Sequence, residues 1–358
     1  MANTTIAAAL TVEQWETAYI REWMRRNQFQ PYMGKDINKP IIINETLGKK
    51  PGTQVHIPLL TRLENSGVTG DNTLEGNEEA LGNYDHAITV DQLRHAVVIG
   101  HLEQAKTDIN MLKAATPALL DWDTDKLRDE ILTGLGSANV DGSTAYGSCS
   151  EANKDAWLTA NDGTVNRVLF GNAKSNQSTT DHSASLLNVD STDDTLDTGM
   201  LSLAKRMIKQ AAPHCRPVRI NGSREIFVAF VGPYGMRDLR AESAMQQANR
   251  DARERGKENP LFQDNDLLWE DIVIHEVPEI DVITGVGNGT IDVEPWYLLG
   301  SSAIGVAIGE PTHKIRDTFD YGNREGVGVA CIRGVDKLMH NSIQHGMLTG
   351  YVSGVADS

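Results

Sequence analysis

Cysteine is scarce in this 358-residue chain. The three present, Cys149, Cys215 and Cys331, lie far apart, and no C-x-x-C pair occurs. An odd, scattered set excludes a disulfide framework and a structural zinc site, and fits free thiols in a reducing compartment. Long apolar runs are also missing. None approaches the roughly 20 residues that cross a bilayer. The opening stretch, MANTTIAAALTVEQWETAY, has no basic segment leading into an apolar core. No signal peptide is expected, and the chain reads as a product of the cytosol. Triplets such as Asn44-Glu45-Thr46 then carry no glycosylation meaning. Positive charge is in deficit: 33 Lys and Arg against 49 Asp and Glu leave a net charge of −16. That balance argues against a surface built to neutralise phosphates, and it keeps a soluble chain from associating non-specifically.

Catalytic motifs are equally sparse. The chain has no H-E-x-x-H, no G-x-S-x-G and no Walker A lysine. His101-Leu102-Glu103 forms an H-x-E, with Pro213-His214-Cys215 downstream. A zinc deaminase needs a second cysteine there, and it is lacking. GVGNG at 285–289 runs on into Thr290-Ile291-Asp292, which reads as strand. Without a helix N-terminus it is a turn and not a phosphate loop. The acidic run VDSTDDTLD at 189–197 lacks the alternating order of a calcium loop and reads as a solvated loop capping the next helix. Arg237, Arg240, Arg250, Arg253 and Arg255 cluster within 234–256, but acids interleave them, as on a solvated helix face. No catalytic residue, cofactor or metal is expected.

What remains is ordinary globular material. With 40% hydrophobic and 23% charged residues the chain can bury a sizeable core. Residues 11–27 read as an amphipathic helix with Val12, Trp15, Tyr19 and Trp23 on one face. Residues 28–52 read as an extended linker with a strand at Ile41–Ile43. After a strand ending at Gly100, a helical period runs from Leu102, is interrupted by Pro117, and ends at Gly134 and Gly136. Residues 136–198 read as a loop-rich insertion. Helices are expected at 199–212 and 234–256, strands at Arg216–Ile220 and Ile226–Val231. Further strands are expected at Trp269–Val277, Ile280–Thr284, Trp296–Gly300, Ala303–Ile308 and Gly326–Ile332. The order makes the fold class α+β.

One stretch stands apart. Between strand-like runs at Thr53–Leu60 and Tyr84–Gly100, residues Glu64 to Asn83 are polar, acidic and rich in glycine. Only Val68, Leu74, Ala80 and Leu81 are apolar. So long a loop is unusual inside a compact domain, and it has too little apolar side chain for a core of its own. It reads as an arm that needs something outside its own subunit to lie on.

The run GVTGDNTLEGNEEAL, followed by VDQLRHAVVIGHLEQAK, resembles the major capsid proteins of tailed phages, most of all the N-4-like podophage family. The residues that carry the resemblance are Gly70, Asp71, Leu74, Glu75, Gly76, Asn77, Glu78 and Glu79, then Arg94-His95, with Ile57-Pro58-Leu59 before them. The likeness is strongest over residues 50–135. It implies the capsid fold named after phage Hong Kong 97 (HK-97-like): an N-terminal arm at 1–48, and an extended E-loop with flanking strands at 49–100. A P-domain with its spine helix would span 101–212, including the insertion at about 136–198. An A-domain would span 213–300, and the chain would return to the P-domain over 301–358. It implies a protein that assembles with itself, as hexamers and pentamers of an icosahedral shell in the virion, after synthesis in the host bacterial cytoplasm. Scaffold, portal and decoration proteins are further partners; packaged DNA is enclosed loosely and no membrane is involved. The contacts expected between subunits are Gly70, Asp71, Asn72, Leu74, Glu75, Gly76, Asn77, Glu78 and Glu79 on the E-loop, and Trp15, Tyr19 and Trp23 on the N-terminal arm. Two rivals remain: a cytosolic α+β enzyme of unknown reaction, and a decoration or tail protein. Large uniform particles from the single expressed chain separate the shell subunit from both.

Overall fold

The computed structural model describes residues 27–48, 52–107, 109–220, 224–252 and 267–355. The expected helix at 11–27 falls outside them except for Asn27, and so do Trp15, Tyr19 and Trp23. The chain divides into two compact units. Among the described residues, the smaller holds Asn27 and those within 92–126 and 312–331, the larger those within 28–91, 127–311 and 332–355.

The chain enters the larger unit through a turn of 3-10 helix at Gln30–Tyr32, then β1 (Met33–Gly34) and β2 (Ile41–Asn44). This is less of a linker than its prolines suggest, because Phe29, Tyr32 and Ile41 are buried in a core cluster. β3 (Gln54–Leu60) and β4 (Asn83–Thr89) flank the polar arm, and β5 (Asp91–Gly100) follows. The strand expected over 84–100 is therefore two, divided at Val90. After α1 (His101–Ala105), helix α2 runs without interruption from Met111 to Gly136. The Asn110 side chain caps it, accepting from the Lys113 N–H at 2.9 Å. Pro117 lies inside α2 and does not break it. Its ring withholds one N–H near the start of a long helix. Within the smaller unit, Leu112, Leu119 and Trp122 of α2 pack on Val97, Val327 and Val329, and that burial outweighs one missing bond.

The expected loop-rich insertion is folded. It holds α3 (Glu151–Asn161), β6 (Val168–Phe170) and α4 (His182–Leu187), the two helices capped by Ser150 and Asp181. Its apolar islands, Trp157, Leu158, Val168 and Phe170, form a core cluster with Leu186 and Tyr351. In the acidic run, buried Asp194 ties the loop together: it accepts from the N–H groups of Asn172 and Asp190 and from Asn176 Nδ2, at 2.7–2.9 Å. Helix α5 (Thr198–Gln210) buries Leu201, Ala204, Met207 and Ile208, as its spacing predicts, and Asp197 caps it.

Next come β7 (Val218–Ile220) and β8 (Arg224–Val231). The helix expected over 234–256 is two in the described residues, α6 (Pro233–Ala241) and α7 (Ser243–Ala252). The break falls at Glu242, whose carboxylate turns away to accept from the N–H and hydroxyl of Thr198. β9 (Leu267–Trp269), β10 (Ile272–Glu276) and β11 (Val293–Leu299) follow. Ile280–Thr284 is not a strand; it makes one bridge, Ile283 to Val293. β12 (Ile304–Phe319) and β13 (Arg324–Lys337) run well past their expected ends. β14 (Met339–His340), β15 (Ile343–Gln344) and β16 (Met347–Ser353) complete the chain.

The core of the larger unit is a mixed sheet in the order β6-β16-β11-β8-β10-β9, with β7 paired to β8. One cluster joins this sheet to α5 and α6 through Leu201, Met207, Met236, Trp296 and Leu348. A second joins it to Phe29, Tyr32 and the Ile131–Leu135 turn of α2. Residues 213–300 supply β7 to β11, while β6 and β16 enter the sheet from outside that span.

Candidate assembly arm

β3 and β4 pair antiparallel in a ribbon of seven residue pairs, from Gln54↔Thr89 to Leu60↔Asn83. Strand alternation gives the ribbon one apolar face at its root. Val55, Ile57 and Ile88 pack there with Ala307 and Leu338. Gly305 of β12 makes the fit possible, since a Cβ there would stand 2.5 Å from Ile88 Cδ1 and 2.8 Å from Leu338 Cδ2. Toward its far end the ribbon loses this support, and Leu60, Leu63, Leu74, Leu81 and Tyr84 are all exposed.

Residues 61–82 hold no helix or strand, yet they are bonded across. The Thr61 N–H donates to Gly82 O at 2.9 Å. The Glu79 carboxylate accepts from the N–H of Glu64 at 2.7 Å and of Asn65 at 2.8 Å, joining the outgoing and returning limbs. Those two N–H groups hold its pKa below the usual carboxylate value. At the tip, the Asn77 N–H donates to Leu74 O and Asn77 Nδ2 to Thr73 O, both at 2.9 Å. Glu78 accepts from the Gly76 N–H at 2.7 Å, and Asn72 Nδ2 donates to Thr69 O at 2.8 Å. Gly70 and Gly76 turn the chain at φ of +66° and +89°, where a side chain would be strained.

The nine expected E-loop residues thus share one exposed loop, but they do different work. Asn72, Asn77, Glu78 and Glu79 bond within the loop and shape it. Leu74 is 61% exposed, and Asp71 and Glu75 are exposed beside it.

The smaller unit carries an exposed feature that the sequence pattern hides. The outer ends of β12 and β13 meet in a hairpin at Asp320–Gly322. Tyr321 stands fully out from its tip at φ +51°, and Ile315 and Phe319 are exposed behind it. Arg316 pairs with Glu325 across the two strands at 2.7 Å. Only the Asp-Tyr-Gly-Asn turn at 320–323 hints at this hairpin in the sequence.

In the larger unit a cleft of about 810 Å³ is lined by Tyr146, Tyr297 and Tyr351 together with Asp129, Glu279 and Asp281. Among the described residues, no group of three or more His, Cys, Asp or Glu side chains could hold a metal ion. None of their helices is long and apolar enough to cross a membrane.

A family model described as phage capsid protein matches residues 3–350. The major capsid protein of Pseudomonas phage KPP25 is 29% identical over 367 residues, covering 95% of this chain and 93% of that protein. A chain of the cyanophage Pam1 capsid is 32% identical and superposes with a TM-score of 0.90, over 100% of both chains. A chain of the Ralstonia phage GP4 capsid shares the fold at 20% identity, with a TM-score of 0.77 over 100% of both. The chain therefore belongs to the phage capsid protein family, the shell-forming proteins of tailed phages with the HK-97-like fold.

Proposed function

We propose that the E-loop arm joins each subunit to its neighbour in the head shell. The chain itself is a major capsid protein: copies of it form the shell, and it resides in the virion. The observation that carries the arm reading is the contrast along the β3–β4 ribbon. Its root is fixed in the core, while Leu60, Leu63, Leu74 and Leu81 are exposed on the same excursion. Isolated exposed leucines need no explanation, but four on one projecting arm suit a contact with another surface. Leu74 fills a pocket of the neighbour, and Asp71 and Glu75 beside it make charge-assisted bonds. Each such contact is weak, and closure of a symmetric shell adds them together.

The domain assignment follows the same reading. Residues 1–48 are the N-terminal arm, with Trp15, Tyr19 and Trp23 as its anchors, and 49–100 are the E-loop with its strands. Residues 101–212 form the P-domain, 213–300 the A-domain, and 301–358 return to the P-domain. Scaffold, portal and decoration proteins are the further partners, the DNA is enclosed loosely, and the subunit works as a structural part and not as an enzyme.

Deletion of Asp71–Glu79 tests the arm. The expected outcome is a folded, soluble chain that forms no closed shells by electron microscopy. Closed shells from the deletion variant would end the arm reading.

A further inference from the structure

We propose that the root of the E-loop ribbon is a proton-operated latch, made by His86, His340 and His345, which releases the β3–β4 ribbon as the pH falls below neutrality. Two imidazoles join the ribbon to β14. His86 on β4 places Nδ1 3.1 Å from Met339 O, and His340 on β14 places Nε2 3.0 Å from Ile57 O of β3. A carbonyl oxygen only accepts, so both nitrogens must carry hydrogen and donate. The latch is crossed in both directions: each side lends one imidazole and one carbonyl. His345 lies against His340, their ring centroids 5.7 Å apart, and His86 is 6.3 Å away. His86 is 8% exposed and His340 5% exposed.

The charged surroundings decide what a proton does here. From β13, Asp336 Oδ2 lies 3.7 Å from His86 Nε2. From β4, Asp85 is already bound to His56 of β3 at 2.5 Å. Arg167 adds positive charge against His345. One imidazolium can be balanced by Asp336. For His340 the Asp85 carboxylate, already held by His56, favours the charged form, but burial and the positive charge of neighbouring histidines outweigh it. Burial accordingly lowers the pKa of His340, and lowers that of His345 to about 4, with the other histidine charges adding to the effect.

His340 holds the ribbon through Nε2, and burial makes its imidazole bind a proton less readily than a solvated one, so lifting the ribbon takes up a proton there. Docking is fully favourable above the ordinary histidine pKa of about 6.5 and weakens as the pH falls below it. His340 thereby weakens docking by up to about tenfold per pH unit below that value, and the charge of His345 beside it adds to the effect. The apolar contacts of Val55, Ile57 and Ile88 set how far the ribbon then moves.

Hydrogen–deuterium exchange of the full chain tests the latch, with rates corrected for the intrinsic pH effect. Amides of 54–60 and 83–89 should lose at least tenfold protection between pH 7.5 and pH 5, while those of β8 and β11 hold theirs. In the His340→Gln, His345→Gln double variant the ribbon should stay protected at pH 5, because the amide introduced at position 340 still donates and neither new side chain titrates. Ribbon protection that is unchanged in the native chain at pH 5, or lost equally in the variant, would overturn the proposal. Should the variant not fold, exchange at the histidine C2–H of the native chain reads the pKa values themselves. Titration of His340 and His345 near 6.5 would equally end it. Neither readout requires shell formation, so the latch and the arm's role in assembly can fail separately.

Discussion

Leu74 is an apolar side chain held out on a polar loop by bonds from its neighbours, Asn77 above all. Full burial of one leucine contributes about 1.5–3 kcal/mol, and on the proposed arm contact a symmetric shell would repeat that contribution at every arm. Leu74→Asp should therefore block assembly. The monomer should melt within about 0.5 kcal/mol of the native chain, since the side chain touches no core. Size-exclusion chromatography alongside thermal denaturation checks both halves, and normal shells from this variant would exclude Leu74 as an anchor. A second residue speaks to stability. Glu294 of β11 is buried and accepts the N–H groups of Tyr234 and Gly235 at the start of α6. Burial outweighs those bonds and raises its pKa from 4.5 to about 7. Between those values the folded chain keeps a proton that the unfolded chain has released, so stability falls as the pH rises through the window, by about 3 kcal/mol. Glu294→Gln should remove that component. Denaturant melts at pH 4.5 and pH 8 would show it as a smaller loss of stability in the variant than in the native chain.

At the scale of elements, the ribbon depends on two glycines. Gly305 admits Ile88, and Gly334 lies so close to β4 that a Cβ there would stand 2.0 Å from the Thr89 carbonyl oxygen. That oxygen is backbone and cannot rotate away. Gly334→Ala should lift the end of β4 and cost about 1–3 kcal/mol, read as faster amide exchange over 83–89 with the β8 and β11 sheet unaffected. The elements legible in the sequence were those with a clear period or a clear lack of one. Leu201, Ala204, Met207 and Ile208 announced α5, and the shortage of apolar residues over 64–83 announced the arm. Other elements were hidden for physical reasons. β16, MLTGYVS, is buried on both faces, so it shows no alternation, and its Gly350 lies against the Trp296 ring. The outer half of β12, EPTHKIRDTF, is exposed and polar; pairing makes it a strand, with no help from burial. α2 defied the rule drawn from Pro117 because tertiary packing outweighed one lost bond. On the arm, residue types alone do not separate Asn72, Asn77, Glu78 and Glu79, which bond within the loop, from Asp71, Leu74 and Glu75, which face outward. That division depends on which backbone groups the fold of the loop brings within reach.

At the scale of the whole molecule, the chain is a subunit whose chemistry is contact. Its net charge of −16 leaves little positive charge for holding nucleic-acid phosphates. Some shells of this fold are locked covalently by a lysine joined to an asparagine. Here no lysine occurs between Lys50 and Lys106, so the arm has no amine to offer. Shells boiled in detergent should therefore run as single chains on a gel, and a ladder of linked subunits would show that another lysine serves.

The Glu79 bonds to Glu64 and Asn65 have a consequence for how fast and how tightly the arm is captured. A loop of this length left slack would sample many shapes, and ordering it at the moment of contact would consume much of the attraction. With its two limbs already fastened by one carboxylate, that entropy is lost during folding. On the proposed arm contact, the neighbour would meet a hairpin with few shapes to choose among, and the free energy of each leucine contact would go into holding the shell.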